Sequence, residues 1–325
     1  MRNLLALAFV LSSSAALAFG TIDGAAPGGP MQSREHEGIT RRALACSGVD
    51  DPLPAGQCFD GDALDMLAGR KDTLGAIGWT DVVHFDDHAY HCDNGDYLPV
   101  DGYPRSQQDA TAALQACRAL MIRYMDAAVS DARGLVRNGK PAYGKIPHSF
   151  CNFNGIRGDA LCNVLEDFGA ALHAIQDFYS HSNWVDQPQN VSIALDNPPG
   201  LGNSQPTDWL DLSRDAELPF GVITGCYAGG DQGRAKCAGR VTHYTLNKDL
   251  GTIPLQGPPG PARTDRGIQS GNFERAVDAA TADTRRQWAY LRGRLIATYG
   301  AADGNLMICV LENGYQSDVK ASCGN

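Results

Sequence analysis

The chain has 325 residues, a net charge of −10 and 43% hydrophobic residues. That acidity disfavours loose electrostatic capture of nucleic acid or of an anionic bilayer, so any phosphate substrate needs local cations. Ten cysteines with no Cys-x-x-Cys spacing argue for disulfides in an exported chain and against a zinc-thiolate site.

The chain opens MRNLLALAFVLSSSAALAFG, one Arg before an apolar run that ends in Ala16-Leu17-Ala18. This is the pattern of a secretory signal peptide over 1–18, cut after Ala18. The run is broken by Ser12-Ser13-Ser14 and falls short of the roughly 20 residues that span a bilayer, and no later stretch is apolar enough, so no transmembrane anchor is expected. Residues 19–325 show no internal repeat and read as a single domain, secreted or periplasmic.

A Gly/Pro-rich stretch over 20–30 leads into a helix that starts at Ser33 and carries Ile39, Ala43 and Leu44 at helical spacing. A second helix is expected over 62–68, where Leu64 and Leu67 pair. The region 79–105 reads as irregular, with His84-Phe85-Asp86-Asp87-His88 and Asp93-Asn94-Gly95-Asp96 among turn formers. A long helix follows over 106–137. The next starts near Gly158, with the stripe Leu161, Val164, Leu165, Phe168, Leu172, Ile175 and Tyr179. Residues 186–270, rich in Gly, Pro and Asn, read as a loop-rich insertion tied down by Cys226, Cys237 and metal. A last strong helix is expected over 273–299, followed by a short Cys309–Cys323 tail. No alternating strands stand out, so the fold class is mainly α: a helical bundle around a metal cluster, with long disulfide-linked loops. Neighbouring cysteines give the expected pairs Cys46 with Cys58, Cys92 with Cys117, Cys151 with Cys162, Cys226 with Cys237, and Cys309 with Cys323.

The chemistry concentrates in ALHAIQDFYSHSNW and its flanking Ala. Residues four apart on a helix differ by about 40° in azimuth, so His173, Asp177 and His181 climb one face beside the apolar stripe. Three polar side chains there need partners, because each buried polar group left unmatched costs roughly 1–3 kcal/mol. A lone His is usually an ordinary core or surface residue. Three ligand types on one face, with His36, His84, His88, His91, His148 and His243 elsewhere, point to metal, and His with carboxylate is a set that zinc accepts.

The segment Leu172-His173-Ala174-Ile175-Gln176-Asp177-Phe178-Tyr179-Ser180-His181-Ser182-Asn183-Trp184 resembles the signature of the Het-C-like and CinY-like secreted proteins, which are similar in turn to the zinc-dependent phospholipase C and fungal single-strand nuclease superfamily. His84-Phe85-Asp86, with Asp93-Asn94-Gly95 close behind, resembles that superfamily's ligand-bearing His-Phe segment. His36 in Glu35-His36-Glu37-Gly38-Ile39-Thr40 resembles its early His, and His243-Tyr244-Thr245-Leu246-Asn247-Lys248-Asp249 the later His and Asn-Lys-Asp stretch of the Het-C-like group. The resemblance implies one to three zinc ions. Asp177 would bridge two of them, with His84, Asp177 and His173 on one, His36 on another, and His181 with His243 on a third; Phe19, as the new terminus, would also ligate. It further implies a carboxylate base ahead of the His-Phe segment, for which Asp72 is the nearest candidate, with Asp81 and Asp65 behind it. Two departures stand out: Asn247 occupies the place of a Glu, leaving that metal absent or held by Asp249, and the spacing from Asp177 to His181 is tighter than in the phospholipases.

The implied activity is zinc-dependent hydrolysis of a phosphodiester. With net acidity and no basic stripe interleaved with aromatics, a lipid head group or small phosphodiester is preferred over stable nucleic-acid binding. The reading from another class is a non-catalytic, secreted, metal-stabilised binding or structural protein. A peptide-cleaving metalloprotein lacks support, since no His-Glu-x-x-His occurs.

Overall fold

The computed structural model describes residues 23–25, 31–70, 73–227 and 236–324. The signal segment 1–18, Phe19 and Asp72 lie outside these. The fold is mainly α, and its strands are confined to short antiparallel pairs. These are β1 (Asp23–Ala25) with β2 (Met31–Ser33), and β3 (Val136–Arg137) with β4 (Lys140–Pro141). Asn138 (φ 55°) and Gly139 (φ 69°) turn the second pair, the Asn-Gly hairpin signal.

The N-terminal helices are α1 (Glu35–Leu44), α2 (Gly61–Ala68) and α3 (Gly75–Val83). The expected irregular region thus begins only after Val83; Trp79 to Val83 complete a helix that packs on a neighbour, a tertiary gain invisible to local turn signals. The long helix α4 (Gln107–Asp131) starts where Ser106 accepts a hydrogen bond from the Asp109 backbone N–H, and it ends six residues early in a single 3-10 turn. Next comes α5 (Ala160–His181), the centre of the molecule. It packs against α3 and α4 and against the C-terminal helix, and it is buried on almost every side. Its neighbours can close in because it carries small residues: a Cβ at Gly169 would lie 2.7 Å from the backbone carbon of Ala76 in α3.

Two short helices, α6 (His243–Leu246) and α7 (Asp265–Ile268), punctuate the loop-rich stretch, each N-capped by a threonine, Thr242 and Thr264. The stretch is ordered by a buried ionic knot: Asp186 meets Lys248 at 3.0 Å and Arg266 at 2.7 Å. The last long helix, α8 (Asn272–Asn313), breaks at Gly300 (φ 81°) and resumes, and α9 (Gln316–Ser322) follows. The expected tail is therefore helical. Gly300 ends the first strong apolar pattern, and the shorter helices beyond it are held by Cys309–Cys323. All five neighbouring cysteine pairs are joined as the sequence suggests. Among the described residues no helix is long and apolar enough to cross a membrane.

Candidate metal centre

The inner face of α5 meets histidines and carboxylates from four other segments, and together they form three groups whose ligand atoms lie within 4.8 Å of one another. The first is His36, His173 and Asp177; the second Asp81, His91 and His173; the third Asp93, His181 and His243. Every member is buried.

Asp177 divides its oxygens between partners. Oδ1 lies 3.2 Å from His36 Nε2, whereas Oδ2 lies 2.9 Å from His91 Nδ1 and 3.1 Å from His173 Nε2. The opposite ring nitrogens face acceptors. His173 Nδ1 is 3.1 Å from the Ile77 carbonyl, and His91 Nε2 is 3.2 Å from the His84 carbonyl. His36 Nδ1 is 2.8 Å from Gln176 Oε1, whose amide is itself oriented by donating to Thr40 and Thr284. A carbonyl only accepts, so each of those nitrogens carries a proton, and the other nitrogen of each ring faces inward, where it would offer its lone pair once a cation replaces its proton. His173 Nε2 and His91 Nδ1 then face each other at 3.2 Å beside a carboxylate, an arrangement that calls for a shared cation.

In the third group Asp93 Oδ1 lies 3.2 Å from His243 Nδ1 and 3.5 Å from His181 Nδ1. Asp249 closes the other side, 3.0 Å from His181 Nε2 and 3.3 Å from His243 Nε2. Asn247 accepts a hydrogen bond from the Asp249 backbone N–H at 2.7 Å. It thereby sets the carboxylate that does reach the histidines. A Cβ at Gly225 would lie 2.4 Å from the His243 backbone, so the bare glycine permits the close approach that seats His243.

The electrostatics follow from four buried carboxylates. Burial opposes the charged form of His91, yet the hydrogen bond and charge of Asp177, with Asp81 and Asp93, lift it to about 9. His243 rises to about 10 against its own burial because of Asp93 and Asp249. Burial also works against ionised Asp177, but His173, His181 and His36 hold it well below the ordinary carboxylate range. His173 is driven down, by burial first. The site demands positive charge, which protons on histidine or a metal cation can supply.

Four residues named from sequence motifs, His36, His173, Asp177 and His181, come together as expected, and His243 joins them. His84 does not. It follows the last residue of α3, its ring stacks on Tyr90 at 3.6 Å, and only its backbone carbonyl reaches the cluster. His91 stands where His84 was expected, beside His173. Of the base candidates, Asp65 pairs with Arg41 at 2.5 Å outside the cluster, whereas Asp81 Oδ1 sits 3.5 Å from His173 Nε2 inside it. Motif reading gave no ligand role to His91 and noted Asp93 only as following the His-Phe segment, because both lie in an irregular stretch. Their placement is set by Cys92, which has φ 52°, is bonded to Cys117 on α4, and separates two residues that join different groups.

A family model described as the VWA7 N-terminal domain matches residues 156–198. That stretch contains α5 with His173, Asp177 and His181, and none of the residues that complete the groups from elsewhere in the chain. No curated protein and no solved structure matches.

The cluster has an approach from outside. A cleft of about 830 Å³ is lined by Asp93 of the third group and by His84, Asp86, Asp87, His88, Arg105, Tyr227, Lys236 and Arg240. None of the residues of the first two groups lines this cleft.

Proposed function

We propose that this chain is an exported zinc-dependent hydrolase of phosphodiester bonds, related to the Het-C-like and CinY-like proteins and, through them, to the zinc-dependent phospholipases C. The observation that carries the reading is the buried Asp177 carboxylate shared between His36 on one oxygen and His91 with His173 on the other. Imidazole nitrogen and carboxylate oxygen form the donor set that zinc favours. Zinc held there supplies the charge that acidifies water and draws phosphate oxygens. His36, His91, His173, Asp81 and Asp177 would hold it in the deep groups, and Asp93, His181, His243 and Asp249 in the group that meets the cleft.

The cleft lining supports a small zwitterionic head group over a polyanion, because both basic residues (Arg105, Lys236, Arg240) and acidic ones (Asp86, Asp87, Asp93) line the same space. The resemblance would make Asp72, which lies outside the described residues, the general base, a role worth typically 10²–10⁴ in rate. Export rests on the leader over 1–18, and the five disulfides agree with an oxidising compartment.

The test is zinc content by elemental analysis, with turnover on a panel from phosphocholine esters to short single-stranded oligonucleotides. Hydrolysis that stops on chelation and in His173→Ala is the expected result. Full zinc occupancy without turnover on any member would replace this reading with the second one, a metal-stabilised binding protein, for which the complete burial of His173, Asp177 and His181 speaks.

A further inference from the structure

Tyr227 follows Cys226, which is fixed by its disulfide to Cys237 and by hydrogen bonds from its N–H to the Val241 carbonyl and from the His243 N–H to its own carbonyl. Its ring stands 5.3 Å from His243 and 6.2 Å from His88, on the wall of the cleft that Asp93 also lines. The residue is 8% exposed, and its hydroxyl is shielded with no hydrogen-bond partner among the described residues. A shielded phenol hydroxyl normally finds an acceptor, and leaving it unmatched disfavours the fold. His88 adds a second shielded, unpartnered atom, Nδ1, on the same wall.

We propose that the Tyr227 hydroxyl is a ligand-recognition group that donates its hydrogen bond to an anionic phosphoryl oxygen seated in the cleft beside the Asp93, His181 and His243 group. This deepens the phosphodiester reading and rests on it for the identity of the ligand. A phenol keeps its proton at neutral pH, so the hydroxyl acts as a donor and not as a nucleophile. Lys236 supplies charge from the lining of the same cleft, whereas the Arg240 and Arg105 guanidinium groups both turn to Asp96. Recognition therefore needs a neutral donor near the histidines as well as that cation.

The experiment compares the zinc-loaded full chain with its Tyr227→Phe variant. Inorganic phosphate is titrated calorimetrically, zinc is counted in both proteins, and melting is followed without phosphate. The expected result is a Kd for phosphate raised roughly ten- to a hundredfold, the range of one hydrogen bond to a charged group. Zinc content should be unchanged and the Tm without phosphate no lower, since an unmatched hydroxyl contributes nothing to the free protein. Equal phosphate affinity, no phosphate binding by the parent chain, or loss of zinc in the variant would each overturn the proposal. Absence of zinc in the parent chain would instead sink the metal-centre reading, while a tenfold difference in phosphate affinity between the two zinc-free proteins would still support Tyr227.

Discussion

Asp81 Oδ1 lies 3.5 Å from His173 Nε2 because α3 and α5 touch backbone to backbone at Gly169. The same contact carries the Ile77 carbonyl to within 3.1 Å of His173 Nδ1. Gly169→Ala would set a methyl 2.7 Å from the Ala76 backbone carbon, so α3 must move. Overpacking of this kind costs about 1–3 kcal/mol. The expected outcome is a Tm lower by several degrees together with weaker zinc retention in a chelator competition. A fall in Tm with zinc affinity intact would separate the contact from the site.

Asp177→Asn keeps the shape of the side chain and removes the charge that two groups share. Breaking a buried ionic arrangement by deleting one partner costs about 3–5 kcal/mol. At least half of the bound metal should be lost in elemental analysis, and the variant should melt well below the parent chain. Parental metal content in Asp177→Asn would remove Asp177 from the ligand set.

Gln176 acts on the site through His36. Gln176→Leu deprives His36 Nδ1 of its acceptor and strips Thr40 and Thr284 of a shared donor. Loss of an orienting partner behind a metal-ligating histidine typically weakens affinity 10–100-fold. Zinc binding measured by competition should fall within that range, with the helical circular dichroism signal retained. Unchanged affinity would show that His36 is oriented by other means.

Glu312 offers a pH test remote from the cluster. Burial, helped by Asp60 and opposed by Arg292, pushes its carboxyl from 4.5 up to about 7. A folded value above the unfolded one means that this stabilisation is fully present below about pH 4.5 and is lost as pH rises through about 7. Glu312→Gln should therefore gain Tm relative to the parent chain at pH 8, by about 2–4 °C for each kcal/mol recovered, and show little or no gain at pH 4.5. A constant difference across that range would contradict the shift.

Local patterns made α5 readable: its apolar stripe and its ligands recur at helical spacing within one segment, so a single face announces itself. The five disulfides were readable for a related reason, since each closes a short loop between neighbours in sequence. His91 and Asp93 were not, because their aim depends on a left-handed Cys92 and on a bond to α4. His84 misled for the complementary reason: it sits in a recognisable His-Phe pair, yet its ring leaves with Tyr90 and its carbonyl stays behind. The helices after Gly300 were missed because one glycine interrupts the periodicity that would have announced them.

The bond between Cys92 and Cys117 gives the centre a maturation order. It is the covalent hold on a tripeptide whose outer members serve two different groups, and it closes a loop of 25 residues in sequence. A reduced chain must find the same placement of His91 and Asp93 against the entropy of that open loop. On the metal-centre reading, cation capture would be tied to thiol oxidation, and a reduced chain would compete poorly for metal until the bond forms.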